Sequence, residues 1–556
     1  MTGQQQAEEA AAYAGRWVAL VRGKIVAQAE TREQAFQSAR VSRHKEQVEL
    51  RFMPVMPVNS ALLESVSALL PTEIPVYLVG GAVRDAVMGR SNHDLDFATP
   101  QGLKMAKLVA DGLSAAYFPL DEGFDTGRVV LQNPDGTRDT LDFAGYRGDS
   151  LEADLRGRDF TMNAIAMNVK SGEISDPLGG VTDIREKRIR ACAETSLSED
   201  PIRILRAVRQ AAALGFNIEI NTRNLMKAAV ASLPAISPER QRDELFKILE
   251  GPRPEAAMHA LELLGVFPYL LPELGALKGV EQSAPHVHDV WAHTLAVLRH
   301  LDGILEALAP TYDEHKANAD LMTSLLVLRL GRYRQQIGEH LARNLNADRS
   351  ARALLFFGAL YHDVNKPQTK TIEESGRIRF LGHDEMGAQT AVRRGTALHL
   401  SNDELERLKL LIRHHMRVHA HSSRKDAGHE VSRKAMYRFF RDSGEAGIDL
   451  ILLAMADTRA TYDHSMTQEH WAATLDVCRA LLEAWFEKAD EIIRPPQLLN
   501  GDDLINELKL KPGPEIGKLL EAIRETQAAG NLTDREQALA FARGWLAKTR
   551  DVSKES

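Results

Sequence analysis

The chain has 556 residues, 44% hydrophobic and 26% charged, more than one hydrophobic core organises, so three or more domains are predicted. No run approaches the ~18 uncharged apolar residues that cross a bilayer. The first residues lack the basic and then apolar layout of a secretory signal, and Cys192 and Cys478 are too few for a disulfide framework or a cysteine-rich zinc site, so the cytoplasm is the expected compartment. With 69 Lys and Arg against 77 Asp and Glu, the formal charge of -8 argues against a chain coated in positive potential but leaves room for a local basic surface.

Residues 1–12 read as a frayed end. Trp17–Val21, a turn at Arg22–Lys24 and Ile25–Ala27 predict a hairpin; Thr31 with Gln34 forms a capping box that opens a helix, and Val48–Phe52 is a third strand. This β-β-α-β unit, residues 1–54, resembles short bacterial modules of unknown function and carries nothing catalytic. Met53–Val58 reads as a linker. Residues 58–185 mix apolar runs (Val76–Val79, Val129–Leu131, Thr140–Phe143) with helical stretches, as an α/β domain does. Beyond residue 185 the pattern is helical, with amphipathic segments near 200–215, 222–232, 239–250, 255–265, 290–308, 350–362, 384–398, 402–415, 446–460 and 468–487. Pro495-Pro496 interrupts it, and helices over about 500–548 follow, within a helical tail domain of 491–556.

The densest chemistry is Val79-Gly-Gly-Ala-Val-Arg-Asp85 followed by Asp94-Leu-Asp96. Glycines straight after a strand let the backbone approach a triphosphate, and the next helix offers its first N–H groups and Arg84 to phosphates. Alternate residues of a strand share a face, so Asp94 and Asp96 together suit Mg²⁺ ions that activate a hydroxyl and neutralise pyrophosphate. Asp142, on a nearby strand, is the expected third carboxylate.

Leu78–Arg90 with Asp94-Leu-Asp96 resembles the first motif of the class II tRNA nucleotidyltransferase and bacterial poly(A) polymerase family. Arg158-Asp-Phe-Thr-Met-Asn-Ala164 resembles its ribose-binding motif, and Ser175–Gly180, Glu199–Arg203 and Glu239–Glu244 follow in family order. The resemblance implies an α+β fold: a polymerase β-like head, an all-α neck over 186–280 for base selection and tRNA binding, a helical body over 281–490, and the tail. It implies catalysis by Asp94, Asp96 and Asp142 and nucleotide binding by Gly80, Gly81, Arg84, Arg158, Asp159, Asn163, Asp200, Arg203 and Arg206. Asp159 and Asn163, at i and i+4, would bond a ribose hydroxyl; an Asp/Arg pair complements the pairing edges of C and A and opposes those of G and U, so Asp200 and Arg203 would select the base. Asp200 would also cap the helix that carries Arg203. The partners implied are the tRNA 3′ end, CTP and ATP, with the basic run Ile184–Arg190 and Arg203, Arg206 and Arg209 along the RNA.

Two departures bear on the product. The ribose motif has Gly157 where the family carries a second arginine. Between Asp142 and Arg158 there is no room for the loop of a dozen or more residues that full CCA-adding members place there, so the head resembles CC-adding enzymes, with full CCA addition and poly(A) addition as alternatives.

The helical body, residues 281–490, carries His293, His362-Asp363, His383, His414-His415 and Asp457. Such a set suits a metal that hydrolyses phosphoesters. The adjacent His-Asp pair, followed by Lys366, resembles the HD phosphohydrolase superfamily, which implies a first metal on His293, His362, Asp363 and Asp457 and a second on His383 and His414, with Mn, Ni, Fe or Mg as the ion. An HD phosphohydrolase with an RNA-binding head is the alternative of a different class.

Overall fold

The computed structural model describes residues 13, 16–29, 31–42, 46–53, 60–90, 94–133, 137–313, 320–346 and 349–555. The end expected to fray over 1–12, and all but Met53 of the linker expected over 53–58, lie outside them. The chain divides into two compact units, residues 1–233 and 234–556. No helix among the described residues is long and apolar enough to cross a membrane.

The first unit opens with strands β1 (Arg16–Val21), β2 (Lys24–Ala29) and β3 (Glu49–Met53), paired antiparallel in the order β2-β1-β3, and the helix Arg32–Ser42. Thr31 Oγ1 accepts from the Gln34 amide at 3.2 Å, the cap that the sequence predicts.

A seven-stranded sheet follows, made by β4 (Tyr77–Val79), β5 (Asp94–Thr99), β6 (Ala116–Asp121), β7 (Thr126–Gln132), β8 (Arg138–Gly145), β9 (Ala166–Asn168) and β10 (Ile174–Ser175), in the order β10-β9-β4-β5-β8-β7-β6. Only β5 and β8 pair in parallel; every other neighbour is antiparallel. One face is dry. Leu95, Phe97, Val129, Leu141 and Phe143 are buried with Met105, Ala106 and Val109 of the helix Gly102–Leu113, and the rings of Phe97 and Phe143 stack at 4.5 Å. Period-2 alternation then sends Asp94, Asp96, Asp142 and Arg128 to the opposite face. The helix Arg203–Leu214, with Gly215 in the left-handed region at its end, is the longest of the helices that follow in this unit.

The second unit is helical apart from two short antiparallel pairs, Asn344–Asn346 with Arg349–Ser350 and Lys370–Ile372 with Ile378–Phe380, and the long segments that the sequence predicts are present, among them Val290–Ala307, Ala351–Tyr361, His383–Ala397, Asn402–His414 and Gln468–Phe486. At its centre lies Ala446–Tyr462, buried almost all round and packed on Val290–Ala307. A helix apolar on every side belongs inside a core, and this one carries Asp457 there. The tail helices Gly501–Leu508, Pro514–Ala528 and Arg535–Glu555 have their own core around Leu504, Leu519, Ala538 and Ala542.

Candidate functional site

In the first unit β4 ends at Val79 and the chain turns through Gly80 with φ +71° and ψ −137°, a conformation suited to glycine. A Cβ at Gly80 would stand 3.3 Å from Asp96 Oδ2 and 3.5 Å from Arg158 Nη1, so the missing side chain is what lets these three residues meet. Parallel pairing sets Asp96 directly opposite Asp142. Both oxygens of Asp142 accept from Arg128, Nε to Oδ1 at 2.8 Å and Nη2 to Oδ2 at 2.7 Å. Desolvation by the surrounding protein, and then the charge of Asp142, push the Asp96 carboxyl up to about 6; Asp94 adds to this, and Arg158 and Arg128 oppose it. A divalent cation relieves that repulsion, so the residues present fit one.

Beside the carboxylates, Arg158 gives Nε and Nη2 to Asp154 Oδ2 at 3.0 and 2.9 Å, and its Nη1 lies toward Gly80. Asp159 and Asn163 do meet, but across a 3-10 turn, Thr161–Asn163, rather than on an α-helical face. Asn163 Nδ2 donates to Asp159 Oδ1 at 3.0 Å and to Gln210 Oε1 at 3.2 Å. Burial alone would raise the Asp159 carboxyl; Arg206, 3.1 Å away, with Asn163 and the Phe160 amide, holds it below the ordinary carboxylate range.

Several expectations change here. Arg84, expected on phosphates, donates to Asp85 Oδ1 at 2.9 Å and Asn163 Oδ1 at 2.8 Å. Arg206 is likewise drawn to Asp159. Arg203, expected to read the base, lies on the buried face of its helix: Nη1 donates to the carbonyls of Arg158 and Ser196 at 3.2 Å each, and Nη2 to that of Gly157 at 2.9 Å. It braces the backbone that presents Arg158. Asp200 is not the cap of this helix: Ile202 is its N-cap, and the Arg203 amide donates to the Asp200 carbonyl at 3.1 Å. The basic run Ile184–Arg190 is not a bare RNA track, because Arg188 and Arg190 pair with Asp183, which is 0% exposed. Arg128, Asp154 and Asp183 were not singled out from sequence; for Arg128 the signal was present, since it alternates with the buried Val129 on a strand beside Asp142.

The second unit gathers two triads, His293, His362 and Asp457, and Asp363, His383 and His415; within each, the candidate ligand atoms lie within 4.8 Å of one another. His293 Nε2 is 3.0 Å from Asp457 Oδ1, and His362 Nε2 is 3.1 Å from Asp363 Oδ2. His362, His383 and His415 each donate Nδ1–H to the carbonyl three residues earlier, all at 2.7 Å, which fixes the tautomer and leaves Nε2 facing its neighbours. The set fits a pair of metal ions. His415 replaces His414 in it: the spacing Leu408, Leu411, Ile412, His415 keeps His415 on the buried face, whereas His414 is partly exposed. Burial, with His383 and His362, pushes His415 down to about 3, so it is neutral and ready as a ligand. Burial would raise Asp363, but His362 and Lys366 hold its carboxyl well below the usual range. His419, also not foreseen, stands 2.8 Å from Asp457 Oδ2. A cavity of about 340 Å³ opens onto Asp363, Lys366, His383, His419 and Asp457.

Residues 76–190 match the family model of the poly A polymerase head domain, 215–277 that of the probable RNA and SrmB-binding site of polymerase A, 327–458 that of the HD domain, and 463–542 that of the putative tRNA nucleotidyltransferase domain 2. The CC-adding tRNA nucleotidyltransferase of Thermus thermophilus is 32% identical over 84% of this chain and 93% of its own length. The A-adding tRNA nucleotidyltransferase of Deinococcus radiodurans is 31% identical over 85% and 96%. Among solved structures, a CCA-adding enzyme with CTP superposes with a TM-score of 0.57 at 22% identity over 88% of this chain and 96% of that one, a likeness of fold. The chain belongs to the class II tRNA nucleotidyltransferases, in a form that carries an HD domain.

Proposed function

We propose that the chain adds cytidines from CTP to the 3′ end of tRNA without a nucleic-acid template, stops at CC, uses Mg²⁺ and works in the cytoplasm. The observation that carries the CC reading is the passage out of β8. The strand ends at Gly145, only residues 146–150 intervene, and the Ser150 hydroxyl, accepting from the Ala153 amide at 3.2 Å, caps the helix Leu151–Arg156. A switching loop between the third carboxylate and the ribose motif has no place there.

In this reading Asp94 and Asp96 would hold Mg²⁺, which when bound would supply the charge that activates the 3′ hydroxyl and neutralises the departing pyrophosphate. Gly80 and Gly81 let the triphosphate approach the backbone. Arg158, oriented by Asp154 and braced through Arg203, supplies positive charge beside it. Asp159 and Asn163 form the floor under the ribose, held in register by Arg84 and Arg206. Asp200 remains the candidate for the base, now without Arg203 as its partner.

The test is product length at single-nucleotide resolution, with tRNA lacking its 3′ end incubated with CTP, ATP or both. Two cytidines are expected whether or not ATP is present; a third residue ending in A overturns the CC reading, and a ladder of adenylates points to poly(A) addition. Addition that survives an Asp94→Ala/Asp96→Ala variant overturns the transferase mechanism. The paired triads favour a second activity, metal-dependent phosphoester hydrolysis in the HD unit using Mn, Ni, Fe or Mg. There His362→Ala should abolish hydrolysis and spare nucleotide addition.

A further inference from the structure

The catalytic face of the sheet continues past the carboxylates to an exposed aromatic edge. In strand register Asp96 faces Asp142, Asp142 faces Arg128, and Arg128 faces Phe118 on β6. Residues directly opposite in a sheet share a face. Gly127 fixes which face this is: a Cβ there would meet Ala106 of the covering helix at 2.7 Å and Tyr117 at 3.1 Å, so 117 and 127 point to the helix and Phe118 and Arg128 point away from it. With strands about 4.8 Å apart, Phe118 lies about 10 Å from Asp142.

Phe118 is 50% exposed, Leu120 48% and Phe124, in the turn after β6, 73%. Among the described residues Phe118 and Phe124 are the exposed phenylalanines. Single exposed apolar side chains are ordinary; an aromatic set in line with a catalytic triad of carboxylates, with a guanidinium between, is not. Pro119 offers no N–H, which guards this edge strand against pairing with another strand. Asp121 and Glu122 at the turn disfavour a phosphate backbone there but not a base.

We propose that Phe118, flanked by Arg128, is the stacking seat for the unpaired 3′-terminal bases of the RNA primer. This deepens the transferase reading and rests on it. An enzyme that works without a template must hold primer ends as they grow, and a π face accepts any base. The geometry places this seat on the Asp142 side of the carboxylates, across from Gly80 and Arg158, so primer and triphosphate approach from opposite sides.

The test compares wild type, Phe118→Ala, Phe118→Trp and Phe118→Ala/Phe124→Ala in the full chain. Phe118→Ala should raise KM for tRNA about 10-fold or more, leave KM for CTP within about twofold, and be rescued by Phe118→Trp. An unchanged KM for tRNA, or KM for CTP rising in parallel, overturns the proposal. A binding arm separates this outcome from failure of the transferase reading. If the wild type adds no nucleotide, the transferase reading has failed, yet an RNA ending in 2-aminopurine still reports stacking. Quenching by wild type that is lost in Phe118→Ala supports the seat; quenching absent in wild type, or retained in Phe118→Ala, overturns it.

Discussion

Asp96 and Asp142 stand directly opposite each other on the one parallel strand pair of the sheet, and Arg128 grips both oxygens of Asp142 while Asp96 is left with a carboxyl raised to about 6. A raised carboxyl stabilises the fold below its ordinary value of 3.8 relative to higher pH, and that stability is lost as pH rises through about 6. With chelator present, Asp96→Asn should therefore melt above wild type at pH 7.5, and the gap should shrink steadily toward pH 4. Mg²⁺ should raise the wild-type Tm at pH 7.5, much less at pH 5, and not that of Asp96→Asn. Parallel melting curves for the two proteins across this range would refute the raised carboxyl, which burial and then the charge of Asp142 produce.

Arg203 gives a second prediction, because its two readings differ in what a variant changes. As a base reader, Arg203→Met should weaken the choice of CTP over UTP, because the Asp/Arg pair opposes the pairing edge of U. As a brace that bonds the carbonyls of Gly157, Arg158 and Ser196, it should instead lower stability by about 3 kcal/mol and reduce kcat through misplacement of Arg158. The expected result is a lower Tm and turnover with the CTP to UTP ratio of kcat/KM within about twofold. A ratio that collapses at unchanged Tm would return Arg203 to base selection.

A third prediction separates the adjacent histidines of the HD unit. In an Asp94→Ala/Asp96→Ala background, which removes the metal site of the first unit, His415→Ala should lose one of two bound equivalents of Mn²⁺ or Ni²⁺ in equilibrium dialysis, because His415 belongs to the triad with Asp363 and His383. His414→Ala should keep both. Since burial holds His415 neutral down to about 3, its part in the affinity should not vary between pH 6 and 8. Two equivalents retained by His415→Ala would remove it from the site.

How much of this was legible in the sequence varies with the physics of each position. Long amphipathic helices such as Val290–Ala307 and Asn402–His414 announce themselves through their period, and the chemistry of Gly80, Asp94 and Asp96 is local to a strand and its turn. β6 was not read, because its residues are mostly exposed on both faces and Pro119 interrupts it, so no alternation survives. Sequence spacing points Arg203 at the base because two of its three carbonyl acceptors, Gly157 and Arg158, come from a segment some 45 residues earlier, which spacing on one helix cannot reveal. His415 was within reach: extending the Leu408, Leu411, Ile412 stripe by three residues selects it over His414.

The remaining prediction concerns Arg349 and Glu404, which form a buried pair in the second unit. Arg349 Nε and Nη2 reach the two Glu404 oxygens at 2.6 and 2.8 Å, and Glu404 Oε2 also accepts from the Ser401 amide at 2.7 Å as half of a capping box. Glu404 is 0% exposed and Arg349 6%. Breaking such a pair strands a charge in the core, so Glu404→Gln should cost about 3–5 kcal/mol in urea unfolding at pH 7.5. Replacing both by methionine should cost much less, because no charge is then left behind. Burial would raise the Glu404 carboxyl, but Arg349 and the cap hold it below its ordinary value of 4.5. The contribution is therefore present above that value and lost as pH falls through the folded one, and the gap between wild type and Glu404→Gln should narrow only in acid. A Glu404→Gln variant as stable as wild type at pH 7.5 would mean that water reaches the pair and that it does not hold the helix Asn402–His414 in place.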